Sequence, residues 1–186
     1  MVLGGPRRAF QSMPVGGGLG RPLLFAVIIA WIAVLANTFW DLLLRDWIGA
    51  MLPEEAGRWT EMSGVVRIVT AMLAPIWVTV AILVGAALQH LFLFLVSGAA
   101  RGFEATFRVM CYASAPMILG VVPVCGRLIG VVWGLVLTIV GLAIAHRIGA
   151  GRATFAVLLP ILLCCSCVAL AIAMFGAALV SAIGRP

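Results

Sequence analysis

Lysine is absent from this chain of 186 residues, acidic residues number six, and there is one tyrosine. Charged residues make up 10% of the sequence, where a soluble globular chain has about 25%. Hydrophobic residues make up 65%, and the mean hydropathy is +1.24. So little charge excludes a disordered chain, a nucleic-acid-binding domain and an ordinary soluble enzyme. The composition is that of a polytopic membrane protein. The twelve cations are all arginines, placed between and beside the apolar runs and, Arg7-Arg8 apart, singly. They read as topology signals and as contacts to anionic lipid head groups, not as a nucleic-acid surface. The five cysteines (Cys111, Cys125, Cys164, Cys165 and Cys167) lie in or beside apolar runs, so no disulfide framework is expected. Cys164 and Cys167 share a helix face, but zinc needs about four ligands and no histidine or acid accompanies them. No metal and no cofactor is expected. H-E-x-x-H, G-x-S-x-G and G-x-x-x-x-G-K are all missing, so the expectation is not an enzyme.

Five apolar runs are present: Leu23–Leu44, Ile68–Val96, Val109–Val124, Leu128–Ala145 and Ala153–Ile183. Pro75 and Gly85 interrupt the second, Pro116 and Pro123 the third, and Pro160 the fifth. The expected fold is all-α: an integral membrane protein of five transmembrane helices with a tight hairpin between the third and fourth. The third run has 16 residues and would span about 24 Å, short against a hydrocarbon core of about 30 Å. It either crosses or enters one leaflet as a wedge. Both cases bring Glu104 and Arg108 to the side of His146 and Arg147.

The segment 1–22 carries Arg7, Arg8 and Arg21 and no acid, which places it in the cytoplasm. The first run is too long for a cleaved signal, so a retained first span is expected. The Arg45–Arg67 loop holds four acids and goes outside, and the loops around Arg101 and Arg147 go inside. Five spans put the carboxyl terminus outside. Trp40, Trp47 and Trp59 read as an aromatic belt at the outer interface, and Phe10 with Met13 as an interfacial foot.

Small residues recur at spacing four. Gly126, Gly130 and Gly134 open the fourth run, and Cys165, Ala169, Ala173 and Ala177 follow one face of the fifth. Such rows let backbones approach closely, so they read as helix-packing faces, against each other or against a second copy. Asn37 and Asp41 share a face of the first run, with Arg45 one turn further as an ion partner for Asp41. Gln89 and His90 lie near the inner end of the second run. Polar residues at membrane depth are functional candidates. These four are the candidate polar path of an alternative function, a small-solute transporter or lipid scramblase. Glu104 and Arg108 have the spacing of a helical ion pair at the hairpin base.

The stretch from Gly102 to Pro160 resembles the Yip domain (Ypt/Rab-interacting protein family) in its bacterial form. Thr106-Phe107-Arg108 and Tyr112-Ala113-Ser114-Ala115-Pro116 carry the resemblance, followed by Pro123, Gly126, Trp133, Gly141-Leu142 and His146. Arg152-Ala153 and Leu158-Leu159-Pro160 extend it, and Met13-Pro14 with Pro22-Leu23-Leu24-Phe25 resemble the entry to the first span. The resemblance implies five spans, a cytoplasmic amino terminus and an outward carboxyl terminus, in the inner membrane. It implies Tyr112, Ser114, Pro116, Pro123, Gly141, His146 and Pro160 as motif residues and no catalytic ones. Eukaryotic relatives act in vesicle trafficking, bind Rab GTPases and associate with membrane-curving proteins. The expected function is non-enzymatic: organising or curving the membrane and scaffolding partners. The expected contacts are the lipid bilayer, a second copy or other membrane proteins, and no nucleic acid.

Overall fold

The computed structural model describes residues 3–14, 16–49, 64–123 and 125–183, with 45–49 and 177–183 as backbone alone. The described residues are helical throughout: α1 (Pro6–Gln11), α2 (Gly20–Gly49), α3 (Gly64–Met72), α4 (Ala74–Leu95), α5 (Gly102–Ala113), a 3₁₀ segment (Ala115–Val121), α6 (Cys125–His146) and α7 (Ala150–Ile183). Four stretches are long and apolar enough to cross a membrane: Gly20–Leu44, Ala74–Leu95, Cys125–His146 and Ala150–Gly176.

The third apolar run is different. It is not one helix over 109–124 but the second half of α5 followed by the 3₁₀ segment. Pro116 stands in the first turn of the 3₁₀ segment, where its missing N–H costs nothing. At 1.5 and 2.0 Å per residue the whole of α5 and the 3₁₀ segment measure about 18 and 14 Å. The second run also divides, because Pro75 resets the helix after Leu73 into α3 and α4. The fifth stays one helix through Pro160.

α5 is the centre of the bundle. Val109 and Ala113 belong to one apolar cluster, with Phe10, Leu93, Leu137, Leu142 and Val157 among others. Phe107 and Cys111 belong to a second, with Ala26 and Ala86. α5 and the 3₁₀ segment run antiparallel to α6 along its whole length. A Cβ on Gly126 would fall onto the Leu119 carbonyl, one on Gly130 would lie 2.8 Å from the Pro116 carbonyl oxygen, and one on Gly134 3.5 Å from that of Ala113. Further along, a Cβ on Gly141 would be 2.6 Å from Val109 Cγ1. His146, at the end of α6, meets Thr106.

The glycine row therefore seats its own hairpin neighbour. It does not meet the α7 row, where Cys165, Ala169 and Ala173 are exposed; the side chain of Ala177 lies outside the described residues. α7 buries Ala153, Ala156 and Val157, then exposes every described side chain from Ile161 to Gly176.

One further expectation is corrected. Phe10 and Met13 are not an interfacial foot: α1 docks on α6, Phe10 is 3% exposed, and its ring fills the space left by Gly141. The Glu104–Arg108 ion pair lies on α5, with Arg108 buried.

Candidate functional site

Polar groups converge on the first two turns of α5. Arg108 is 4% exposed, and an unpaired cation there would be costly. Its Nε donates to Glu104 Oε1 at 3.2 Å, Nη1 to the Pro14 carbonyl at 2.9 Å and Nη2 to the Gly18 carbonyl at 2.9 Å. The Gly18 N–H closes the ring by donating to Glu104 Oε1 at 2.8 Å. Gly17 and Gly18 have φ of +120° and +92°, in the region that favours glycine, and a Cβ on Gly17 would crowd Arg108 Nη2 at 3.1 Å. The Glu104–Arg108 pair thus straps the segment before α2 onto the bundle.

One turn away, Thr106 is fully buried between two imidazoles. The Arg101 N–H donates to His146 Nδ1 at 3.2 Å. A backbone N–H can only donate, so Nδ1 is unprotonated and the ring proton is on Nε2. Nε2 then donates to Thr106 Oγ1 at 2.9 Å, and the hydroxyl donates onward to His90 Nδ1 at 2.8 Å. The chain has one direction and joins α4, α5 and α6. Phe103 sets its ring edge-on to His90, with centroids 5.8 Å apart. Two imidazoles and a hydroxyl can hold or pass a proton. They are too few to ligate zinc, and the described residues contain no cluster of three or more histidine, cysteine or acidic side chains.

Gln89, beside His90 in sequence, serves the backbone. Pro160 has no N–H to give the Ala156 carbonyl one turn earlier, and Gln89 Nε2 donates to that oxygen at 3.1 Å. Pro75 likewise frees the Ala71 carbonyl, and Trp31 Nε1 fills it at 3.0 Å. In lipid a freed carbonyl has no water, so a neighbouring helix must satisfy it. Trp40 Nε1 donates to the Val121 carbonyl at 2.8 Å, at the end of the 3₁₀ segment.

The four residues of the candidate polar path fall into two groups. Gln89 and His90 join the α5 node. Asn37 bonds back to the Ala33 carbonyl at 2.7 Å, and Asp41 pairs with Arg67 at 3.6 Å. The Arg45 side chain, proposed for Asp41, lies outside the described residues, as do the side chains of Trp47 and Trp59. The groups sit beside opposite ends of α6, about 25 Å apart at 1.5 Å per residue.

The motif residues are dispersed along the fold. Tyr112 packs on Phe25 with ring centroids 5.4 Å apart. Ser114 donates to the Cys111 carbonyl at 2.7 Å. Pro116 is buried, and Pro123 lies in the turn before α6. Gly141 receives Phe10, His146 joins the hydrogen-bond chain, and Pro160 stands where α7 stops packing. Thr106 entered the sequence reading only as part of the family resemblance; its place as the bridge between His146 and His90 comes from the packing of three helices.

These features define an all-helical membrane protein whose buried polar side chains hold helices to one another. The chain belongs to the Yip1 domain family, whose model matches residues 2–180. No curated protein and no solved structure matches it.

Proposed function

We propose that this protein is a non-enzymatic organiser of the bacterial inner membrane, curving the bilayer and scaffolding partner proteins. The observation that carries this reading is the use of polarity. Among the described residues, the four buried polar side chains, Gln89, Thr106, Arg108 and His146, all bond to other groups of the chain itself. Polar groups spent on joining helices favour a scaffold over a solute path.

Five crossings are the reading of the α5–3₁₀ unit. It follows α6 from end to end, and α2, α4 and α6 surround it, so irregular backbone is tolerated at membrane depth. A cytoplasmic amino terminus is supported by the charges. Arg7, Arg8, Arg21, Arg101, Arg147 and Arg152 all lie at the α5 entrance, none of them buried, and the carboxyl terminus then lies outside. Curvature is supported by α7. Its 34 residues measure about 51 Å, far longer than the core of about 30 Å, so it must tilt. Beyond Pro160 its described side chains are exposed while the other helices stay packed, so it takes added area in the leaflet on that side.

Reconstitution at rising protein-to-lipid ratio, imaged by electron cryo-microscopy, tests this. Vesicle diameter is expected to fall with dose, and cross-linking in the bilayer to join neighbouring proteins. Unchanged vesicles with no cross-linked neighbour would overturn the reading. Transfer of fluorescent lipid between leaflets would replace it with a scramblase.

A further inference from the structure

A cleft of about 420 Å³ opens between α2, the 3₁₀ segment and α6, at the end of the bundle far from His146. Ala33, Gly120 and Gly130, buried where the three elements meet, form its floor, and Val34, Met117 and Val131 make the surface apolar. Its polar groups gather at one end, where Asn37, Thr38, Asp41 and Arg127 form the rim.

Two quantities identify the occupant. The first is depth. The cleft follows α2 from Ala30 to Asp41, eleven residues or about 16 Å, which is one leaflet of a core of about 30 Å. Its rim is at head-group level, because Arg127 lies in the first turn of α6 and the Trp40 indole is anchored beside it on Val121. The second is charge. Arg67 compensates Asp41 at 3.6 Å, and Asn37 is turned back onto its own helix. Arg127 is exposed and makes no ion pair among the described residues. Among the described residues the charged groups at the rim are Asp41, Arg67 and Arg127, a positive balance above an apolar slot one leaflet deep.

We propose that this cleft binds one anionic phospholipid of the adjoining leaflet, with an acyl chain between α2, the 3₁₀ segment and α6 and its phosphate on Arg127. Guanidinium and phosphate suit each other, because two N–H groups meet two oxygens. A zwitterionic head group brings a second cation to the same rim and gains less. The site takes lipid rather than free phosphate, because most of the surface it offers is apolar.

The test uses the full-length chain in detergent micelles, titrated with dioleoyl phosphatidylglycerol or dioleoyl phosphatidylcholine and read by native mass spectrometry. The wild type is expected to retain one phosphatidylglycerol at about tenfold lower lipid concentration than phosphatidylcholine, the factor that one charge-assisted hydrogen bond supplies. Arg127→Gln, a change at an exposed side chain, should bring the two lipids to the same level with an unchanged gel-filtration profile. Ala33→Leu narrows the slot and leaves the cation in place, so it should weaken both lipids. Equal retention of the two lipids by the wild type would overturn the proposal. So would an Arg127→Gln variant that still prefers phosphatidylglycerol, or displacement of the lipid by millimolar inorganic phosphate.

Discussion

The third and fifth apolar runs are opposites in the sequence and in the fold. The third is the shortest, is broken by two prolines and carries polar residues at its entrance; it becomes the centre of the bundle. Phe107, Val109 and Cys111 are fully buried there, and glycines of α6 accept its backbone. The fifth is the longest and forms one unbroken helix, yet it buries little beyond Ala153, Ala156 and Val157. In water, the most apolar segment is drawn inside. In a bilayer the tails are as apolar as leucine, so hydropathy marks what lipid can cover. The segment lipid cannot cover, with its broken helix and buried Arg108, is the one enclosed by protein.

The sharpest way to break this contrast is to fill the glycine seam. Gly126→Ala puts a methyl group onto the Leu119 carbonyl, which cannot move without the turn. We expect about 3 kcal/mol or more of destabilisation, the upper range of overpacking, and loss of the monodisperse peak in detergent gel filtration. Gly130→Ala, with 2.8 Å to the Pro116 oxygen, should cost about 1–3 kcal/mol. Gly134→Ala, with ordinary contact at 3.5 Å, should be neutral or gain up to about 1 kcal/mol of helix propensity. Equal effects at the three positions would contradict the register described here.

Thr106→Val keeps the shape of the side chain and removes the bridge between His146 and His90. Leaving both imidazoles without their shared partner should cost about 1–3 kcal/mol, seen as a lower midpoint of thermal aggregation. The smallest effect belongs to α7. Ala173→Leu adds bulk at an exposed position, and the stability read from thermal unfolding should stay within about 0.5 kcal/mol of the wild type. A loss as large as that of Gly130→Ala would mean that the exposed face of α7 is packed after all.

Four of the five runs were legible because some twenty apolar residues in a row leave a helix as the natural crossing. The third was legible as an anomaly only. Pro116 announces a break, but nothing local says that a 3₁₀ segment continues the path. The glycine row was legible as a packing face, whereas its partner was not, because spacing four fixes a face and not what lies against it. The Glu104–Arg108 pair was legible by spacing, but its carbonyl and amide partners before α2 were not. Those contacts depend on Pro14 and Gly18 folding back over α5. His90 stood in the candidate polar path, and His146 and Thr106 in the family resemblance, with nothing in the spacing to join the three. Gln89 is the clearest case of tertiary information. Pro160 shows that the Ala156 carbonyl is freed, but only the packing of α4 on α7 shows what fills it.

The central claim is that the α5–3₁₀ unit crosses the membrane as a fifth, enclosed segment. The most direct test places single cysteines at its two ends, Ser97→Cys before α5 and the native Cys125 at the start of α6, each in a chain with its other cysteines replaced. An impermeant maleimide is then applied to right-side-out and inverted vesicles. The account predicts labelling of the two positions from opposite sides. Labelling of both from the same side would make the unit a re-entrant hairpin and contradict it.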